Sequence, residues 1–291
     1  MHIENECISC IINQAAKVAD AIEASPSLER ELVSHVEGMS YSFSYEQTPP
    51  EIAADVYEKM ALLAHKEDLY DEVKRASTQK AQSFVPLLQE KITQSHHKLL
   101  TATKIAVAGN VIDLAAAVAF DLEEELERVF HTSFATDDFY EMQEELESAQ
   151  SVLIIGDNVG EHIFDYMFIE TLQKLYPEKS YTYFVRGVPI INDVTMKEAK
   201  EAGFHKLCNL VDSGVNTPGF TYSRASHKAQ ELFDNADVII SKGMGNYECM
   251  SDTHRENIFF LLKVKCNVVA NSLGKTLGDI ICKKKGKIDE K

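Results

Sequence analysis

The run Ser151-Val152-Leu153-Ile154-Ile155-Gly156-Asp157-Asn158 decides the fold class. Consecutive apolar residues without polar alternation suit a strand covered on both faces, and the glycine, carboxyl and carboxamide that follow end it. The same plan recurs in YTYFVRG (181–187), HKLCNLVDSG (205–214), DVIISKG (237–243) and IFFLLKVK (258–265), each run giving way to a polar or glycine-bearing loop. Most of these loops lead into a helical pattern, such as Ile163, Phe164, Met167 and Ile169 after the first run. Buried strands alternating with helices predict a parallel sheet covered on both faces, the doubly wound α/β class.

The texture upstream differs, which divides the chain into a mainly helical part, residues 1–147, and an α/β domain, residues 148–291. Between Cys7 and Ala24, the residues Ile8, Ile11, Ile12, Ala15, Val18, Ala19 and Ile22 recur at helical spacing, and Ser25-Pro26 marks the end. Thr48-Pro49-Pro50 predicts a second helix start, because proline suits the first turn, and Ile52, Val56, Met60 and Leu63 continue it. Further helical patterns fit 68–96, 98–118, 121–130 and 137–148. The closing CKKKGK reads as a frayed, solvated end.

Composition excludes several classes. The 291 residues carry 29 Lys and Arg against 46 Asp and Glu, a formal net charge of −17, and this acidity disfavours nucleic acid and anionic membranes as partners. With 45% hydrophobic and 26% charged residues the chain is globular in composition. No window approaches the roughly 18 apolar residues of a membrane span, and MHIENECISC lacks the pattern of a secretory signal. Six dispersed cysteines suit reduced thiols, so the expected location is the cytoplasm. Nothing in the sequence sets the oligomeric state.

In doubly wound sheets ligands lie beyond the carboxyl ends of the strands. There stand Asp157 and Asn158, then Glu161; Asn192 and Asp193; Lys242 with Gly243-Met244-Gly245-Asn246; and Lys265. Asp157, Asn158 and Asp193 supply hard oxygen donors suited to Mg²⁺ or Mn²⁺ shared with a substrate phosphate. The alternative makes the two aspartates helix N-caps. Lys242 and the glycine turn can meet an anion, or form a plain tight turn. Lys265 suits a polar site, or a sheet edge. Cys7-x-x-Cys10 on a helix shares one face and suits a metal or redox role, or two small buried hydrophobes. Gly109-Asn110-Val111-Ile112-Asp113 can line a cleft or form a polar kink.

Together these loops resemble the metal-dependent damage-control phosphatases, the family also known as domain of unknown function eighty-nine, in its shorter prokaryotic-type branch. The resemblance rests on Cys7-Ile8-Ser9-Cys10, Pro49-Pro50-Glu51-Ile52-Ala53, Ala108-Gly109-Asn110-x-x-Asp113, Gly156-Asp157-Asn158-Val159-Gly160-Glu161, Val185-Arg186-Gly187 through Asn192-Asp193, and Lys242-Gly243-Met244-Gly245-Asn246. It implies a helical N-terminal region packed on a Rossmann-like α/β/α domain, with one divalent cation (Mn, Mg, Ni or Co) held by Asp157, Asn158 and Asp193. It further implies that Gly245, Asn246 and Lys265 contact the substrate. The longer branch has Arg-Thr-x-Lys where this chain has Leu262-Lys263-Val264-Lys265, so only the final lysine carries over.

The reaction expected is hydrolysis of a small phosphate ester, a sugar phosphate or a damaged cofactor phosphate. Asp157, Asn158, Asp193 and Lys265 are the expected catalytic set, with Glu161, Asn192, Lys242, Gly245 and Asn246 on the substrate side. A metal-bound water or Asp157 itself could attack. Two other readings compete. A non-catalytic module for a nucleotide or sugar phosphate would bind without releasing phosphate, and a carboxyl methyltransferase would need a glycine-rich turn after the first strand, where Gly156-Asp157-Asn158 stands.

Overall fold

The computed structural model describes residues 1–111 and 128–287. Its centre is a seven-stranded sheet in the order β1-β7-β6-β5-β2-β3-β4. The strands are β1 (Thr136–Asp137), β2 (Ser151–Ile155), β3 (Ser180–Val185), β4 (Asn209–Asp212), β5 (Val238–Lys242), β6 (Ile258–Lys263) and β7 (Ile280–Lys284). From β2 the chain winds outward through β3 to β4, then returns to lay β5 and β6 on the other side of β2. The strand order therefore reverses between β2 and β5, the position where such sheets open a ligand crevice.

Alternation along each strand feeds two cores. Val152 and Ile154 of β2 face a core with Phe164 and Phe168 of the helix Glu161–Leu175, while Leu153 and Ile155 face one with Phe220 and Phe233. A third core joins the helices Asn5–Ala21, Pro26–Ser40 and Pro49–Ala64 through Ile11, Val18, Leu32, Val36 and Val56. Ile190 from the loop after β3 and Val268 from the helix Asn267–Leu273 enter that core and seat the helical layer over the strand ends.

The structure departs from the sequence expectations in places. Ser25-Pro26 ends one helix and also starts the next, Pro26–Ser40, because Ser25 Oγ accepts the Leu28 N–H and Pro26 fills the first turn. The stretch 68–96 is helical from Asp71 to Gln94, and 137–148 from Phe139 to Ser148 after the short β1. The helix expected over 98–118 runs from Lys98 to Val111 before the described residues stop, and most of 121–130 lies outside them. The run CKKKGK is not frayed: Ile280–Lys284 forms β7, antiparallel to β6. Lys284 and Lys287 are held by Glu141, at 2.8 and 2.7 Å. The lysine run thus neutralises an acidic helix, a long-range pairing that local composition does not show. Only β2 to β6 form the expected all-parallel array.

Candidate active site

At the switch point two loops are stitched together by their backbones. Asn158 and Asp193 pair as an isolated antiparallel bridge, Val194 N–H donates to the Asp157 carbonyl at 2.8 Å, and Val159 N–H to that of Asn192 at 2.8 Å. The loops after β2 and β3 thereby bring Asp157, Asn158, Asn192 and Asp193, far apart in sequence, to one point.

Arg186, the first residue past β3, lies beneath them. Its Nε donates to Asp193 Oδ2 at 2.7 Å and its Nη2 is 3.8 Å from Asp157 Oδ1. Both terminal nitrogens are buried without a hydrogen-bond partner among the described residues. Above, Asn158 Nδ2 donates to Asp157 Oδ2 at 3.0 Å and to Glu161 Oε1 at 2.9 Å, which fixes the carboxamide. Gly243 has φ +77°, and a Cβ there would lie 1.8 Å from Asp157 Oδ2. Only glycine at this turn lets β5 approach the Asp157 carboxylate.

A second layer stands behind. Lys242 is fully buried, with Nζ 2.6 Å from Asp165 Oδ1 and 4.0 Å from Glu161 Oε2. Tyr183 donates its hydroxyl to the other Asp165 oxygen at 2.9 Å. Asn246, also buried, donates to the carbonyls of Gly156 and Lys242 and accepts the Phe220 N–H, clamping the glycine turn. Lys242 and Asn246 therefore stand behind the cleft wall. Lys265 is exposed at its rim, and Asn192 and Gly245 line it. Glu161 is buried against Asn158 and packs on Gly109.

The electrostatics show what this arrangement can hold. Asp157, Glu161, Asp165 and Asp193 are buried beside two buried cations, Arg186 and Lys242, so full ionisation leaves negative charge in excess. Burial, with Glu161 and Asp193 nearby, pushes the Asp157 carboxyl well above its ordinary range, against the pull of Arg186 and Lys265. Burial likewise pushes Asp193 up to about 6. A divalent cation between Asp157, Asn158 and Asp193 would cancel the excess and favour the ionised carboxylates. Among the described residues no cluster of three or more His, Cys, Asp and Glu forms a metal cage. Two carboxylates and a carboxamide instead match an ion that keeps waters and shares its sphere with a phosphate, so the residues fit the group.

The cleft over this point measures about 480 Å³. The helical layer closes it with Cys7, Cys10, Pro50 and Tyr57, whose hydroxyl donates to Gln14 at 3.2 Å. Both CxxC residues thus line the cleft, with Cys7 buried and Cys10 exposed. Of the stretch 109–113, Gly109 meets Glu161, and residues 112–113 lie outside the described residues.

Residues 3–281 match the damage-control phosphatase ARMT1-like domain. The chain belongs to that family. It is 32% identical over 284 residues to a damage-control phosphatase of Pyrococcus horikoshii, covering 97% of this chain and 98% of that protein. It is 28% identical over 289 residues to a damage-control phosphatase of Archaeoglobus fulgidus, covering 97% and 99%. A crystal structure of a family member from Pyrococcus horikoshii superposes with a TM-score of 0.91 at 30% identity, covering 98% and 99%. The reaction class expected from the sequence, a phosphatase, is that of the damage-control phosphatase family.

The sequence assigns no role to Arg186, Asp165 or Tyr57, and marks Glu248 only as the position where the longer branch of the family has an arginine. Arg186 carries a signal, since a cation directly after the buried run TYFV obeys the same strand-end rule that singles out Asp157. Asp165 and Tyr57 sit on helices, where only packing shows which way they face.

Proposed function

We propose that the protein is a divalent-metal-dependent phosphatase that releases phosphate from small phosphometabolites, sugar phosphates or damaged cofactor phosphates. The observation that carries this reading is the convergence of Asp157, Asn158 and Asp193 over buried Arg186 at the sheet's switch point. Asp157, Asn158 through its carboxamide oxygen, and Asp193 would hold Mn²⁺, Mg²⁺, Ni²⁺ or Co²⁺, which supplies Lewis acidity to the phosphoryl oxygens when bound. Arg186 favours the ionised form of both aspartates and aims them upward. Lys265, on the rim, neutralises charge on the transferred phosphoryl group. Lys242, held by Asp165, fixes Glu161 and through it the carboxamide of Asn158. The helical layer with Tyr57 covers the ester and limits water.

The test is phosphate release from a panel of sugar and cofactor phosphates, run with each cation and with chelator. Release is expected only with metal, and Asp157→Ala and Asp193→Ala should each reduce it by about a hundredfold or more while the fold persists. Folded variants with full metal-dependent activity would remove the ligand assignment. Ligand binding without release under every cation would leave a binding module.

A further inference from the structure

Asp157, Asn158 and Asp193 share the cleft with Cys7, Cys266, Glu6 and Glu248. The helix Gly243–Met250 begins with Gly243 against the Asp157 carboxylate and carries Glu248 further along it, about 7 Å down the helix axis. Burial pushes the Glu248 carboxyl up to about 7, against the pull of the amino-terminal ammonium. That ammonium is bonded to the Glu248 carbonyl and Ser251 and paired with Asp252 at 3.0 Å. Glu6 is occupied by Asn267, at 3.2 Å. The Glu248 side chain makes no hydrogen bond or salt bridge within the described residues. Lys265 is the one cation among the described residues lining the cleft, and its charge acts on Asp157.

A half-buried carboxylate that lines a cleft without a protein partner among the described residues is best satisfied by a ligand that supplies a donor. Hydroxyl and ammonium groups donate; a carboxylate or second phosphate does not, and like charge repels it. Building on the phosphatase reading, we infer that Glu248 is a specificity residue that reads the alcohol half of the ester. The cleft takes phosphomonoesters whose alcohol carries hydroxyl or amino donors and no second anionic group. Pro49, Pro50, Val268 and Leu277 line the same cleft and give the carbon skeleton an apolar wall.

The experiment compares kcat/KM for three pyranose esters of one shape, the 1-phosphates of glucosamine, glucose and glucuronic acid, with the native protein and its best cation. A pH of about 8 keeps the Glu248 carboxyl ionised. The expected order is amine at or above neutral, with the carboxylate at least about tenfold below neutral. Glu248→Gln should shrink the amine-to-carboxylate ratio by about tenfold, and Glu248→Lys should invert the preference. The native ratios test the proposal even if a variant misfolds. Phosphate release at comparable rates from all three esters, or a ratio unchanged in an active Glu248→Gln protein, would overturn the specificity role alone. No release from any ester with any cation would overturn the phosphatase reading along with it.

Discussion

His162 shows how a single residue two positions into a helix reports on the site's scaffold. It is fully buried, its Nδ1 accepts the Gly160 N–H at 2.9 Å, and its ring stacks on Phe204. That acceptor role fixes the neutral ring in the turn that presents Asp157 and Asn158. Burial holds the imidazole down at about 4, from an ordinary 6.5. Between those values the unfolded chain binds the proton and the folded one does not, so stability falls as pH drops through this window. The expected loss is about 3 kcal/mol. Urea unfolding of the native protein against His162→Asn, which keeps an acceptor for Gly160 without a titrating ring, should show the native slope and a flatter variant. Parallel slopes would contradict this. Arg186 teaches the converse: it is buried because two carboxylates need it, a reason that only the folded arrangement supplies.

At the level of elements, the β runs were legible because continuous burial writes continuous hydrophobicity, as in Val152–Ile155 and Ile258–Leu262. The helix after Thr48 was legible because its cap is local: Thr48 and Glu51 form a reciprocal capping box with Pro49 in the first turn. Pro26–Ser40 was missed because proline was read as a stop, although it also serves as a start. β7 was missed because its partners are distant in sequence, β6 on one side and β1 on the other. That placement makes it structurally essential. A chain ending after Gly278 exposes the β6 edge, frees β1 and removes Ile281 and Cys282 from the core. Loss of soluble, cooperatively folding protein is expected, checked by chromatography and thermal melting; a truncated chain melting like the native one would count against the role assigned to β7.

For the whole molecule, the charge of −17 and an anionic substrate are compatible only if the site differs from the surface. It does: Arg186 and Lys242 are buried at the switch point with Lys265 on the cleft rim, and a bound cation would complete the balance. Metal should therefore stabilise the fold by mass action, about 2.7 kcal/mol at a hundred times its Kd. A melting-temperature rise of several degrees with Mn²⁺, lost in Asp193→Asn, is the expected outcome. An equal rise in that variant would place the ion elsewhere. By itself the sequence determined the α/β class and the strand ends, and it singled out Asp157, Asn158 and Asp193 as candidate oxygen donors, because periodicity and loop chemistry are local properties. Only the tertiary structure decided that Lys242 and Asn246 stand behind the cleft, that Arg186 lies beneath the two aspartates, and that Glu248 lines the same cleft. Which way a side chain points, and what charge it meets there, is set by contacts between segments dozens of residues apart.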